Sequence, residues 1–418
     1  MFPTTLLTTL LLALSVAANP VLVNRSPVTL PISRRTNFTS VHNLLRHDQN
    51  RAKFLKAKGA AKAAGISFQQ DAVINEQVDN QVVTYVASVG VGSPPTQFNL
   101  LIDTGRAPSS RSSNTWVGAD TAYKKTSTSV QTSNKVSVTY GSGSFSGTEF
   151  TDTVTLASGL VIPKQSIGVA SKSTGFEGVD GILGIGPVDL TLDTLSPATN
   201  SLIPTVTDNL FANGVINANE IGISFNPTTV EDNENGELTW GGTDPAKFTG
   251  SVSFIPLTTT SPANEFWGIN QSVRYGTSTS ILATTAGIVD TGTTLVLLAT
   301  NGFKKYQTAT KATADAATGL LKVTTANFNA LQSLFFVANG ATFELTANAQ
   351  IWPRALNTDI GGVAGSIYLI VADLGSNSGE GLDFINGFTF LERFYSVFDT
   401  ANKRVGFATT PFTASTVN

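Results

Sequence analysis

Two copies of the tripeptide Asp-Thr-Gly, at residues 103–105 and 290–292, combine residue types and spacing that could support catalysis. Each copy follows a short run of β-favouring apolar residues and ends in glycine, a pattern typical of a strand that breaks into a tight loop. The two aspartates are separated by about the length of one domain. If two lobes face each other, the two carboxyl groups can act as general acid and general base on one water molecule.

The amino-acid composition limits which side chains are available for catalysis. The 418-residue chain contains no cysteine and only two histidines, His42 and His47, which both lie in a basic N-terminal stretch. Cysteine nucleophiles, disulfides and cysteine metal sites are therefore excluded. If the basic stretch is removed, Ser-His catalysis, Cys-His catalysis and histidine–zinc chemistry are excluded as well. Carboxylates remain the leading candidates for the general acid and base.

Charge is distributed unevenly along the chain. Residues 19–71 contain nine Lys/Arg and two Asp/Glu, whereas residues 72–418 contain 17 Lys/Arg and 27 Asp/Glu, a formal charge of −10. An acidic body without a basic patch argues against nucleic-acid binding. Apolar residues at positions 41, 44, 45, 52 and 55 fall on one helical face of the basic segment. Two interpretations stay open, a solvated tail or a prosegment that docks on the acidic body until acid releases it; the charge contrast favours the prosegment.

The N-terminus has the pattern of a secretory signal. Residues 1–18 carry no charged side chain, include a leucine-rich run and end in small residues. Because the run is too short to span a bilayer, we expect a secreted, extracellular protein without a membrane anchor. Secretion makes the Asn-X-Ser/Thr sequons at Asn24, Asn37 and Asn270 candidate glycosylation sites.

From about residue 81 the chain alternates short apolar runs with Gly, Pro, Ser and Thr, which predicts an all-β protein. Predicted strands include residues 82–86, 98–102, 136–140, 252–255 and 366–371, and the better helix candidates are residues 204–211 and 302–310. The two halves also echo each other, since an apolar pair near glycine follows each aspartate, at residues 180–186 and 383–388. The echo indicates a duplication.

A glycine-rich turn at residues 140–143 joins two alternating runs. It is not a phosphate-binding loop, because no Lys-Ser/Thr follows and no helix opens after it. Two interpretations remain: a plain hairpin, or a mobile flap whose tyrosine closes over a bound chain. The spacing alone favours neither.

Taken together, these motifs resemble the pepsin-like aspartic endopeptidases over nearly all of the chain from residue 81 onward. Both Asp-Thr-Gly loops, the turn and the segments at residues 112–118 and 404–408 carry the resemblance. It implies an all-β, bilobal pepsin-like acid protease fold, with two related β-barrel-like lobes and a central cleft. The lobes would be residues 72–257 and 258–418, preceded by the signal peptide, residues 1–18, and a prosegment, residues 19–71.

The resemblance also implies the activity. The protein would be a secreted zymogen, monomeric and inhibited by its own prosegment, that needs neither metal nor cofactor. It would cut proteins and peptides at acidic pH, preferring large hydrophobic residues at the cut. The catalytic residues would be Asp103 and Asp290. The supporting residues would be Thr104, Gly105, Ser112, Thr291, Gly292 and Thr293, with Thr104 and Thr291 cross-linking the two loops; the substrate-binding flap would be Tyr140, Gly141 and Ser142.

One departure from the family pattern lies directly beside the first loop. Residues 106–111 intervene between Gly105 and Ser112, which the family pattern would place next to each other. The inserted arginines, Arg106 and Arg111, would favour a doubly ionised pair and so depress or shift activity. Three interpretations stay open: an outward loop that spares the site, a cleft that binds peptides without cutting them, or a mis-predicted exon edge. A glycosidase with two carboxylates is a further alternative, but the flap, the threonine-bearing loops and the echo argue against it.

Overall fold

The structure is a computed structural model that describes residues 26–38, 44–64, 81–105, 115–139, 143–187, 195–197, 202–230 and 233–418. The predicted signal peptide, the insertion at residues 106–111, Ser112 and the three predicted flap residues Tyr140, Gly141 and Ser142 lie outside these ranges. Strands account for 44% and helices for 16%, and barrel-like sheets form two lobes. The prediction of an all-β, bilobal fold is confirmed.

The strands follow the alternating apolar runs that the sequence predicts. They are β1 Val28–Phe38, β2 Gln81–Val91, β3 Thr96–Asp103, β4 Thr115–Val117, β5 Val130–Thr139, β6 Ser144–Ala157, β7 Leu160–Thr174, β8 Gly181–Gly184, β9 Leu195–Ser196, β10 Glu220–Ser224, β11 Asn233–Trp240, β12 Thr249–Pro256, β13 Gly268–Tyr275, β14 Thr279–Val289, β15 Val296–Leu298, β16 Thr313–Ala314, β17 Leu321–Val323, β18 Leu334–Ala338, β19 Ala341–Leu345, β20 Ile367–Leu369, β21 Val371–Asp373, β22 Phe384–Asn386, β23 Phe394–Asp399 and β24 Arg404–Thr409.

The helices are fewer and mostly short. They are α1 Leu44–Ala63, α2 Val206–Ala212, α3 Thr300–Thr310, α4 Thr325–Asn329 and α5 Phe388–Leu391. The helices predicted at residues 204–211 and 302–310 are confirmed as α2 and α3. In the described part of the chain, no helix has the length and apolar character needed to cross a membrane.

Within the described ranges the strands form three sheets. The largest runs β12-β24-β23-β10-β11-β1-β2-β3-β8-β4-β7-β6-β5-β9, so strands from both ends of the chain share it. A second sheet runs β19-β18-β13-β14-β22-β15-β21, and a small third sheet runs β16-β17-β20. The prediction of one strand over residues 366–371 is wrong: Ile370 donates its N–H to Gln350 and accepts from Val296, which separates β20 from β21 and sends them to different sheets.

The predicted duplication corresponds to a repeated strand arrangement. β3, which ends at Asp103, pairs in parallel with β8, and Ile102 lies opposite Leu183. β14, which ends one residue before Asp290, pairs in parallel with β22, and Val289 lies opposite Asn386. β8 and β22 in turn pair antiparallel with β4 and β15. Each aspartate therefore leaves its sheet at an equivalent point.

The basic N-terminal segment is part of the folded structure. β1 lies between β11 and β2 in the largest sheet. α1 packs against the second half of the chain, where Gly59 lies so close to Pro262 that an added Cβ would be 2.5 Å from the proline Cβ. Lys56 and Lys62 form salt bridges of 2.8 Å and 2.7 Å with Glu380 and Glu265. The solvated-tail interpretation is therefore wrong for β1 and α1.

Candidate active site

The two Asp-Thr-Gly loops place their aspartates in the interior, with Asp103 1% and Asp290 0% exposed. In the first loop the N–H of Gly105 donates to Oδ1 of Asp103 at 3.0 Å. In the second loop the N–H of Gly292 donates to Oδ1 of Asp290 at 3.1 Å. Each loop thus turns back on itself and fixes its own carboxylate with a backbone donor.

The glycines allow the two loops to approach each other. A Cβ atom on Gly105 would overlap the carboxylate of Asp290. A Cβ atom on Gly292 would lie 3.0 Å from Oδ1 of Asp103. A side chain at residue 105 would therefore displace the Asp290 carboxylate, whereas one at residue 292 would first meet the guanidinium of Arg51.

The two threonines form the cross-link that the family resemblance implies. The N–H of Thr104 donates to Oγ1 of Thr291 at 3.0 Å, and the N–H of Thr291 donates to Oγ1 of Thr104 at 2.9 Å. The Thr291 hydroxyl then donates to the carbonyl of Ile102 at 3.0 Å. These buried, reciprocal bonds tie one loop to the other with little freedom to move.

The two carboxylates differ in their side-chain support. The hydroxyl of Thr293 donates to Oδ2 of Asp290 at 2.5 Å. For Asp103 the sequence offers Ser112 or Ser109 as the source of the corresponding hydroxyl, and both lie outside the described residues. The structure therefore brings together Asp103, Thr104, Gly105, Asp290, Thr291, Gly292 and Thr293 from the predicted set.

A guanidinium group from α1 occupies the space between the carboxylates. Nη2 of Arg51 donates to Oδ1 of Asp103 at 2.6 Å and to Oδ1 of Asp290 at 2.8 Å. Nε of the same residue donates to Oδ2 of Asp290 at 2.7 Å. The Arg51 side chain is only 13% exposed. One largely buried cation thus bridges two buried anions.

Sequence reasoning counted Arg51 among the basic residues of the segment but did not place it at the site. The sequence nevertheless contains a pattern that indicates a buried role for Arg51, because the buried positions of α1 recur with helical spacing. Leu44, Asp48, Leu55 and Gly59 are buried along this helix. Arg51 lies on the same stripe, and a charged residue on the buried stripe of a helix requires a partner of opposite charge.

A second contact from α1 reaches the same loop. The carboxylate of Asp48, which is 0% exposed, accepts from the N–H of Thr294 at 3.3 Å and of Leu295 at 2.7 Å. His47 lies beside it, with Nδ1 3.2 Å from Oδ1 of Asp48. Two successive turns of the helix therefore engage the second loop, one through an anion and one through a cation.

The electrostatics favour an ionised pair of Arg51 and Asp290. Burial by itself would raise the pKa of Asp290, but the charge and hydrogen bonds of Arg51, with those of Thr293 and Gly292, hold it below its ordinary value of 3.8. Burial likewise acts to lower the pKa of Arg51, and the charges of Asp103 and Asp290 outweigh that effect and raise it. The guanidinium and the Asp290 carboxylate are therefore both charged at neutral and mildly acidic pH.

Comparison with known proteins identifies the family. The model of the eukaryotic aspartyl protease family matches residues 84–410, a span that contains both Asp-Thr-Gly loops. The chain belongs to the eukaryotic aspartyl protease family. This aspartyl protease is accordingly a pepsin-like aspartic endopeptidase, which confirms the family resemblance of the motifs.

Two relatives and one solved structure illustrate the similarity. Polyporopepsin of Irpex lacteus is 68% identical over 339 residues, covering 81% of this chain and 98% of that protein. Cathepsin E of Rattus norvegicus is 29% identical over 405 residues, covering 87% and 92%. The crystal structure of the aspartic proteinase from Irpex lacteus has a TM-score of 0.79 and 58% identity, covering 94% of this aspartyl protease and 100% of that chain.

Proposed function

We propose that this aspartyl protease is a secreted acid endopeptidase, made as an inhibited zymogen, in which Asp103 and Asp290 activate one water molecule. The observation that carries the proposal is the position of Arg51 Nη2. This single atom contacts an oxygen of each aspartate at 2.6 Å and 2.8 Å, distances that suit a water molecule equally well. When the guanidinium leaves, a water in its place would contact both carboxyl groups.

The reaction follows from the chemistry of two neighbouring carboxyls. Both cannot ionise comfortably at short distance, so the pair holds one proton over a range of acidic pH. The ionised member takes a proton from the water, which attacks the scissile carbonyl. The protonated member donates to the carbonyl oxygen and stabilises the tetrahedral intermediate. The Thr104–Thr291 cross-link supports this role because it holds the two loops in register.

Inhibition by the prosegment follows from the same contacts. Arg51 fills the position proposed for the catalytic water and pairs with both carboxylates. The Asp290 carboxyl, with its lowered pKa, contributes to docking fully above its ordinary pKa of 3.8. That contribution is lost as the pH falls through the lowered value, because the protonated carboxyl no longer attracts the guanidinium. Acid would then free the helix and open the cleft.

The remaining assignments rest on the sequence and the family. We propose a signal peptide in residues 1–18, a prosegment in residues 19–71 and lobes in residues 72–257 and 258–418. The mature enzyme would act as a monomer on proteins and peptides in the extracellular space. Substrate would lie extended under Tyr140, Gly141 and Ser142 and bond through its main chain, with large hydrophobic side chains beside the cut.

The alternative is a peptide-binding protein that does not cut, and it depends on residues 106–111. The residues before the insertion favour the active enzyme. Asp103 and Thr104 keep the hydrogen bonds described above, and β4 resumes at Thr115 with regular pairing to β8. An outward excursion of the insertion is compatible with these contacts.

Expression of the full chain with and without residues 106–111 tests the proposal. Each form is acidified to about pH 3, where protonation of the carboxylates releases the Arg51 contact, and haemoglobin cleavage is measured alongside the matched variants Asp103→Asn and Asp290→Asn. We expect both forms to cut haemoglobin and every Asn variant to be inactive. Activity in neither form refutes the endopeptidase. Activity only after deletion supports the non-cutting alternative for the full chain, and an active Asn variant refutes the assigned dyad.

A further inference from the structure

β13 carries the sequon Asn270-Gln271-Ser272 with its side chains on alternating faces. Gln271 is 2% exposed and points into the core, where it exchanges hydrogen bonds of 3.1 Å and 3.0 Å with Asn386. Asn270 is exposed and Ser272 is half-buried. Because alternate residues of a strand face the same side, the two residues that define the sequon lie together on the outer face of the sheet.

The Asn270 amide is held in a geometry that leaves its nitrogen available. The hydroxyl of Thr258 donates to Oδ1 of Asn270 at 3.0 Å. Nδ2, the atom that carries an N-linked sugar, donates to no residue in the described ranges. Substitution at Nδ2 would therefore leave the observed hydrogen bond intact, and the folded strand has no need to rearrange around a sugar.

A groove of about 390 Å³ is lined in part by Asn270. Its size falls at the lower end of the range of about 300 to 1,000 Å³ for small-molecule pockets. Its wall combines hydroxyl and amide groups with short apolar patches, a mixture that suits the hydroxyls and the C–H face of a sugar ring. The lining includes Leu257, Thr258, Asn270, Ser272, Thr284 and Val337.

We propose that Asn270 carries an N-linked glycan and that the first sugar lies in this groove. The inference rests on the proposed secretion, since only the secretory pathway attaches such glycans. The other sequons are weaker candidates for the mature enzyme. Asn37 belongs to β1, which falls in the proposed prosegment and would leave with it, and Asn24 lies outside the described residues.

The position of the groove indicates what the glycan does. Residues 257–267 connect β12 of the largest sheet to β13 of the second sheet, and within this connection Thr259, Thr260 and Ser261 are exposed. In an endopeptidase such an exposed connection is a target for self-cleavage. A sugar seated between Leu257 and Thr258 covers one side of the connection and slows that cleavage.

Secretion of the full chain from a eukaryotic host tests the inference. The peptide containing Asn270 is analysed by mass spectrometry before and after enzymatic deglycosylation, in the wild type and in Asn270→Gln, Ser272→Ala and Ser272→Thr. We expect the sugar on the wild type and on S272T, which keeps the sequon, and its loss from N270Q and S272A. We also expect acid-activated N270Q and S272A to cleave themselves within residues 257–261 several-fold faster than S272T.

The outcomes separate the glycan from the proposed function. If the secreted enzyme cleaves haemoglobin but Asn270 is unmodified, the glycan inference is overturned and the proposed endopeptidase activity is supported. A glycosylated chain that never cuts haemoglobin supports the modification and refutes the activity. Equal self-cleavage of N270Q and S272T overturns the seating of the sugar over the connection.

Discussion

Replacing Arg51 with alanine removes the cation that bridges the two aspartates. The guanidinium makes three hydrogen bonds to the carboxylates; both carboxylates are buried, and the Arg51 side chain is 13% exposed. Breaking a buried ion pair by removing one partner costs about 3 to 5 kcal/mol. At about 1.36 kcal/mol per tenfold change in an equilibrium constant, this loss raises the population of the open form at least about a hundred-fold. Because the freed carboxyls can share a proton and recover part of the cost, we place the expected effect at the lower end.

The expected result is a zymogen that opens about a hundred-fold more often at mildly acidic pH. The assay is hydrolysis of an internally quenched peptide in the first minute at about pH 6, above the range in which carboxyl groups take up protons. Lys53→Ala is the matched control, because Lys53 is an exposed residue of the same helix and its loss removes the same charge. Arg51→Lys should fall between R51A and the wild type, since an ammonium lacks the planar fork.

Equal initial rates for R51A, K53A and the wild type would refute this reasoning, provided that the processed enzyme is active at the same pH. A cooperative thermal transition for R51A excludes misfolding as the cause of any change. If K53A opened as much as R51A, the effect would reflect the overall charge of the helix rather than the contact with the dyad.

Three further predictions follow from contacts around the same cleft. Asp48→Ala removes charge-assisted hydrogen bonds worth about 1.5 to 3 kcal/mol and should raise zymogen activity at about pH 6 by roughly ten- to a hundred-fold. For the wild type, the lowered pKa of Asp290 predicts that opening, followed by tryptophan fluorescence, begins only as the pH falls below 3.8; opening at neutral pH would contradict it. Asn386→Leu leaves Gln271 unpaired in the core and should cost about 1 to 3 kcal/mol in urea denaturation, whereas N386L combined with Gln271→Leu should be nearly neutral.

The catalytic loops were predictable because their geometry is local. An aspartate, a threonine and a glycine after an apolar run determine the turn, its internal N–H donor and the absence of a side chain at the point of closest approach. Gly105 and Gly292 do what the motif predicts, each admitting the aspartate of the other loop. Family resemblance then supplied the pairing of the loops, which no local rule contains.

The contribution of the N-terminal segment was less predictable because it depends on tertiary contacts. β1 carries Arg34 at 0% exposure, near Glu392 at 3.7 Å and over the rings of Trp352 and Phe388. From sequence alone, a strand with a buried arginine cannot be distinguished from a solvated basic stretch, because its tertiary partners are not known. The same is true of Arg51, which belongs to a visibly basic segment but whose partners lie 52 and 239 residues further along the chain.

The repeated backbone makes the two aspartates alike, whereas the N-terminal segment, which is the proposed prosegment, makes them different. Ile102 lies opposite Leu183 and Val289 lies opposite Asn386, one partner apolar and one polar, yet both pairings deliver an aspartate to the cleft. What the halves share is therefore strand register and the Asp-Thr-Gly turn, rather than the chemistry of the residues paired with the strand before that turn. Arg51 comes from outside the repeat and donates twice to Asp290 but once to Asp103. Arg51 thus makes two similar loops chemically unequal, and in the proposed activation the removal of the helix would allow their carboxyls to share a proton.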